Sequence, residues 1–157
     1  MQSQKIDDML KPGDKAPEFT GRDQDGNEIT LSQFKGKKLV LYFYPKDDTP
    51  GCTAEACDLR DNYERFLSMG YQVVGVSKDS EKSHKKFIEK YNLPFPLISD
   101  TETSILQAYG AWGKKKFMGR EYVGIIRKTF VIDQTGLITD IIEKVNTKAH
   151  SSQILPD

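Results

Sequence analysis

The residues in this sequence with the most chemistry to offer are two cysteines, Cys52 and Cys57. Cys52 closes the segment Pro45-Lys46-Asp47-Asp48-Thr49-Pro50-Gly51-Cys52, in which Thr49 suits a helix N-cap, Pro50 the first helical residue and Cys52 the first turn. A thiol there sits among backbone N–H groups that lack intrahelical partners, at the positive end of the helix dipole, and both favour a thiolate. A free cysteine, with a pKa of about 8.5, is only a few per cent ionised at neutral pH. Full ionisation raises the nucleophile concentration by roughly thirtyfold at most, and nucleophilicity falls somewhat with pKa. Fast chemistry at Cys52 therefore also requires groups that stabilise a transition state.

Cys57 follows on the same helix, and five residues of ideal helix separate two Cα atoms by roughly 8 to 9 Å and about 140°. A disulfide needs less than about 7 Å, so a Cys52–Cys57 bond requires the first turns of the helix to unwind. By itself Cys57 reads as a small hydrophobe on an apolar helix face, and Thr49 as an ordinary N-cap. The Cys-x4-Cys spacing differs from the Cys-x2-Cys of zinc sites and of thioredoxin-type dithiols, which disfavours metal binding and general disulfide reduction. His84 and His150 lie far from both cysteines in sequence; the first reads as a solvated helix-face residue and the second as a terminal one. Lys114-Lys115-Lys116 reads as a solvated loop, with a partner-docking patch as the weaker alternative. The glycines form no phosphate-binding fingerprint.

The elements that must position these residues follow from hydrophobic periodicity. Lys38 to Tyr44 is a nearly continuous apolar run of strand length, suited to a central strand covered on both faces, and Pro45 ends it. From Cys52 to Met69 apolar or small residues recur at three- and four-residue steps, predicting one helix that stops at Gly70. A strand over Tyr71 to Ser77, a helix from Ser80 to Tyr91, a short strand at Leu97-Ile98-Ser99 and a helix from Thr103 to Tyr109 come next. Thr129 to Asp133 and Leu137 to Glu143 form a hairpin about Gln134-Thr135-Gly136, and two β-prone pieces flank Asp25-Gly26. Ala149 to Leu155 could form a last helix. Strands alternating with helices before a closing hairpin predict an α/β fold whose mixed sheet has helices on both faces and function at the strands' carboxyl ends.

Composition narrows the possibilities further. The 157 residues amount to one domain, 1–157, with no linker or repeat to divide them. A chain of this size needs no disulfide to fold, which leaves both thiols free for chemistry. With 23 basic and 23 acidic residues the formal charge is zero, which argues against nucleic-acid and acidic-membrane partners. The 8 Phe, 7 Tyr and 1 Trp supply a core that a disordered chain would lack. Met1 to Asp8 holds no apolar segment suited to a signal peptide, and Leu39 to Tyr44 is too short to span a bilayer, so a cytoplasmic location is expected.

The spacing Pro45-x3-Thr49-x2-Cys52 resembles the active-site signature of the peroxiredoxins. Gly51-Cys52-Thr53-Ala54-Glu55-Ala56-Cys57-Asp58-Leu59-Arg60-Asp61, Lys116-Phe117-Met118-Gly119 and Arg127 to Asp133 resemble their bacterioferritin comigratory protein, or PrxQ, branch. The likeness runs from Pro12 to Glu143. It implies a thioredoxin-like fold with an N-terminal β-hairpin extension, and a thiol peroxidase without metal or organic cofactor. By position, Cys52 would be the peroxidatic cysteine and Cys57 the resolving one, joined after reaction in an intramolecular disulfide that thioredoxin or a similar dithiol protein reduces. Arg127 matches the family's active-site arginine, although a strand position would suit an exposed edge charge equally well. Thr49 would direct its hydroxyl at the peroxide oxygens and Pro45 would shield the thiolate. Hydrogen peroxide or an organic hydroperoxide is the implied substrate, and the branch permits a monomer or a weak dimer. Residues Ala149 to Asp157 leave room for only a short final helix, a departure from the branch. The alternative function is a redox sensor or holdase switched by the same disulfide.

Overall fold

A computed structural model describes residues 9–156. Residues 1–8, where Met1 to Asp8 were read for a leader, and residue 157 lie outside the described part. Its centre is a five-stranded sheet in the order β5-β4-β3-β8-β9. Strand β3 (Lys38–Phe43) takes the middle and runs parallel to β4 (Tyr71–Ser77), which pairs in parallel with β5 (Leu97–Ser99). On its other side β3 is antiparallel to β8 (Lys128–Ile132), and β8 to β9 (Ile138–Ile142).

The pleat of β3 explains why its sequence is apolar throughout. Leu39, Leu41 and Phe43 face one core with Val74, Phe130 and Tyr109, whereas Val40, Tyr42 and Tyr44 face another with Cys52, Leu59, Phe87 and Phe95. The second core lies under α1 (Pro50–Asp61), α2 (Tyr63–Ser68) and α3 (Glu81–Tyr91). Gly75 of β4 makes room in it, since a Cβ there would lie 2.7 Å from Leu97 Cδ2 and 2.8 Å from Tyr42 Cζ. On the opposite face α4 (Ser104–Ala108) contributes Ile105 and Leu106. The short strands β1 (Thr20–Arg22) and β2 (Glu28–Thr30) form the expected N-terminal hairpin, with Gly26 at φ 79° in its turn. A final helix, α5 (His150–Ile154), is short, as the sequence implied.

Three expectations change. The helix starts at Pro50 as expected, but the single run predicted to reach Met69 breaks at Asn62, where φ is −109° and ψ 11°. The Asn62 side chain donates to the Asp58 carbonyl at 2.9 Å, the local competition with backbone bonding that makes Asn a weak helix former. Lys114-Lys115-Lys116 belongs to a strand, β6 (Trp112–Phe117), paired with β7 (Arg120–Ile125) across Met118 and Gly119, which both have positive φ. Backbone pairing about a tight turn makes that hairpin, so its side chains carry no apolar alternation. Arg127 lies in no strand but in the short connection between β7 and β8. No helix among the described residues is long and apolar enough to cross a membrane.

Candidate active site

The carboxyl end of the central strand leads through Pro45 into the loop that opens α1. Thr49 takes the N-cap position with extended backbone, and its carbonyl accepts the first helical bond from Thr53 at 2.8 Å. Its hydroxyl does not cap the helix: Thr49 Oγ1 donates to the Lys46 carbonyl at 2.9 Å. Cys52 follows in the first turn, 2% exposed, and Cys57 is half-buried on the same unbroken helix. Both are free thiols. Burial pushes the Cys57 thiol above its ordinary pKa, with nearby Arg60 opposing the rise. Cys57 is thus more accessible than the small buried hydrophobe that its position on the helix suggested.

Arg127, immediately before β8 and beside the carboxyl end of β3, where Lys128 pairs with Phe43, donates from Nη2 to Cys52 Sγ at 3.3 Å. Its Nη1 donates to Glu55 Oε1 at 2.6 Å, so one guanidinium bridges a sulfur and a carboxylate. Burial works against the arginine's charge, yet Cys52 and Glu55 hold its pKa above the usual value. Gly51 leaves the space this needs, because a Cβ there would meet Arg127 Nη2 at 3.3 Å. Glu55 is fully buried on the apolar face of α1, and burial pushes its carboxyl up to about 7 against the opposing pull of Arg127. Its Oε2 has no hydrogen-bond partner and lies 3.5 Å from His150 Nε2.

His150, read from the sequence as a terminal residue, is fully buried. It is linked to Gln153 Oε1 through Nδ1 at 2.7 Å and to Thr129 Oγ1 through Nε2 at 2.8 Å. Burial lowers its pKa, so the ring is neutral, Nδ1–H donates to the Gln153 oxygen and Nε2 accepts the threonine proton. Glu55 Oε2 therefore faces a lone pair, an arrangement that favours a protonated carboxyl.

His84 is likewise buried, with no solvent exposure, and belongs to the scaffold of the active-site loop. Its Nδ1 meets Asp47 Oδ2 at 2.7 Å and its Nε2 meets the Ile98 carbonyl at 3.0 Å. Asp47 also accepts from Tyr44 Oη at 2.6 Å and Ser83 Oγ at 2.8 Å, while its own N–H donates to Asp79 Oδ2 at 2.9 Å. Asp47, Asp79 and His84 could group around a metal ion, with ligand atoms within 4.8 Å of one another. Protein donors already satisfy these carboxylates, so the cluster acts as a clamp that fixes the loop between Pro45 and Thr49.

The fold thus brings Arg127 to Cys52 and keeps Thr49 and Pro45 on the loop that precedes it, with Cys57 one and a half turns along the helix. Sequence reasoning missed Glu55, although a lone acid three residues from Cys52 on an apolar helix face was a readable signal. It also missed the Asp47–His84 clamp and His150, for which the sequence offered no signal.

The sequence matches the family model described as AhpC/TSA family over residues 12–141. It is 48% identical over 146 residues to Peroxiredoxin Bcp of Bacillus subtilis, covering 93% of each chain. To Peroxiredoxin Bcp of Escherichia coli it is 42% identical over 146 residues, covering 93% of this chain and 94% of the relative. Among solved structures, Xanthomonas campestris Peroxiredoxin Q superposes with a TM-score of 0.82 at 35% identity, covering 87% of this chain and 86% of the other. A cysteine-to-serine mutant of Xylella fastidiosa PrxQ gives a TM-score of 0.86 at 32% identity over 92% of both chains.

Proposed function

Because the chain belongs to the AhpC/TSA family, on its Bcp/PrxQ branch of peroxiredoxins and so among the thiol peroxidases, we propose that Cys52 is its peroxidatic cysteine and Cys57 its resolving one. The observation that carries this reading is the guanidinium of Arg127 on the sulfur of Cys52 at 3.3 Å. The Cys52 thiolate attacks one oxygen of a peroxide, an S–O bond forms, the O–O bond breaks, and the leaving oxygen departs as water or an alcohol after taking a proton. Arg127 holds the negative charge that passes from sulfur to the leaving oxygen, and its geometry is set in advance by Glu55. With its own proton committed to the Lys46 carbonyl, Thr49 Oγ1 offers a lone pair to the peroxide O–H. Pro45 shields the thiolate from bulk water.

The product is a sulfenic acid on Cys52. Cys57, having given up its thiol proton, then attacks the Cys52 sulfur, the S–O bond breaks, and the expelled hydroxide takes up a proton to leave as water, giving an intramolecular disulfide. That step requires α1 to unwind, because ideal helix holds the two Cα atoms roughly 8 to 9 Å apart. Thioredoxin or a similar dithiol protein reduces the disulfide by exchange. Hydrogen peroxide and organic hydroperoxides are the substrates, and a reducing compartment such as the cytoplasm suits a cycle that starts from two thiols.

The test is a titration of the reduced protein with one equivalent of hydrogen peroxide in the absence of air, counting thiols and recording intact mass within seconds. The expected result is loss of both thiols with a mass decrease of about two hydrogens, reversed by thioredoxin. Two unreacted thiols would overturn the assignment.

A further inference from the structure

We propose that Asp48, clamped by Lys90 and Tyr91 at the end of α3, is a positioning residue that holds the active-site loop in the left-handed conformation from which Thr49 meets the peroxide. The inference rests on the assignment of Cys52 as the peroxidatic cysteine and adds a determinant of its first step. Asp48 has a φ of 57°. Among the described residues three other non-glycine residues share this left-handed region, and each lies at a helix end or in a hairpin turn: Asn92 after α3, Thr103 before α4 and Met118 between β6 and β7. Asp48 instead lies in the loop that precedes the thiol, next to Thr49. A backbone held in a sparsely populated conformation persists only where surrounding contacts impose it.

Those contacts come from α3. Asp48 Oδ2 accepts from Lys90 Nζ at 2.8 Å, and Oδ1 accepts from Tyr91 Oη at 2.9 Å. Lys90 and then Tyr91 hold the Asp48 carboxyl below its ordinary pKa, so it is ionised at neutral pH and accepts from both. Tyr91 is itself fixed. Its ring meets the buried Phe87 edge-on at 5.5 Å between centroids, and its carbonyl accepts from Arg60 Nη1 of α1 at 2.7 Å. The preceding residue, Asp47, is held on Ser83 and His84 in the first turn of α3. Two successive carboxylates thus grip opposite ends of one helix, and the left-handed backbone at Asp48 turns the chain between the two grips. Aspartate enters that region more readily than alanine does. Thr49 follows with extended backbone and its hydroxyl bound to the Lys46 carbonyl, so the direction of its Oγ1 lone pair depends on how the loop is held at Asp48.

The experiment measures, by stopped flow on the full-length reduced protein, the second-order constant for Cys52 oxidation by hydrogen peroxide, and beside it the rate of Cys52 alkylation by iodoacetamide, read by peptide mass. Asp48→Ala removes both anchors and resists the left-handed backbone, and should lower the peroxide constant roughly tenfold. Lys90→Met combined with Tyr91→Phe leaves the loop sequence intact and should lower it about fivefold. Asp48→Asn keeps the left-handed tolerance and an acceptor oxygen, and should stay within about twofold of wild type. Alkylation needs no hydrogen bond to Thr49, so its rate should not fall in any variant. In a Thr49→Val background Asp48→Ala should have little further effect, because the two changes remove one interaction. A wild-type peroxide constant in both Asp48→Ala and the double variant overturns the clamp. So does an equal fall in alkylation, or an undiminished effect of Asp48→Ala beside Thr49→Val. A wild type whose Cys52 does not react with peroxide overturns the reading of Cys52 itself and the clamp with it.

Discussion

Replacing Glu55 by Gln tests the electrostatics of the site through stability. The folded-state carboxyl is raised from an ordinary 4.5 to about 7, chiefly by burial. Between those two values the unfolded chain gives up the Glu55 proton and the folded protein keeps it. Folded protein then binds more protons than unfolded, and stability falls as pH rises. The contribution is fully present below pH 4.5 and lost by the time pH has passed about 7. At about 1.4 kcal/mol per pKa unit, that interval amounts to roughly 3 to 4 kcal/mol. Glutamine at position 55 cannot ionise, so the variant escapes the loss. Burial, the chief cause of the lowered His150 pKa, is common to both proteins. Urea unfolding of both reduced proteins between pH 4 and 8 should show the variant gaining roughly 3 to 4 kcal/mol on the wild type across the range, whatever their difference at pH 4. A difference that stays flat or shrinks with pH would refute the reasoning, because it would mean that pairing with Arg127 outweighs burial.

Cys52→Ser should abolish peroxide consumption, while Cys57→Ser should keep the first oxidation and lose thioredoxin-driven turnover; a coupled assay with thioredoxin reductase reads both, and normal turnover in Cys52→Ser would end the peroxidase assignment. Arg127→Lys keeps the charge but loses the two-armed donation to Cys52 and Glu55, so the second-order constant for Cys52 oxidation should fall at least about tenfold in stopped flow. An unchanged constant there would count against its role. Gly75→Ala would force a Cβ to 2.7 Å from Leu97 and 2.8 Å from Tyr42, and should cost about 1 to 3 kcal/mol in thermal unfolding. An unshifted melting curve would show that the core under α1 is looser than the structure indicates.

The parts of this molecule that could be read from sequence are those whose signal is local. An unbroken apolar run marks β3 as central, because a strand covered on both faces cannot alternate. Thr49-Pro50 marks the start of α1 and places Cys52 in its first turn, since cap and first-turn preferences act within a few residues. The hairpin about Gln134-Thr135-Gly136 was legible for the same reason: Asp133 Oδ1 accepts from the N–H groups of Thr135 and Leu137 within the turn. The β6–β7 hairpin escaped because its lysines carry no alternation, and the break at Asn62 because apolar spacing continues across it.

By itself, the sequence determined the thiol pair, its helical spacing and the α/β layering, since each follows from covalent geometry, local propensity or short-range periodicity. Resemblance, and no physical feature of its neighbours, singled out Arg127. Only the tertiary structure decided which charges surround the thiol. Arg127 reaches Cys52 across 75 residues of chain and Glu55 across 72, and His84 meets Asp47 across 37. His84 and His150 carry the same polar side chain whether solvated or buried, and no neighbour in sequence distinguishes the two. Contact through space depends on how the sheet stacks β3 beside β8 and lays α5 against α1, so the chemistry of the site is fixed by packing over distances that no sequence window spans.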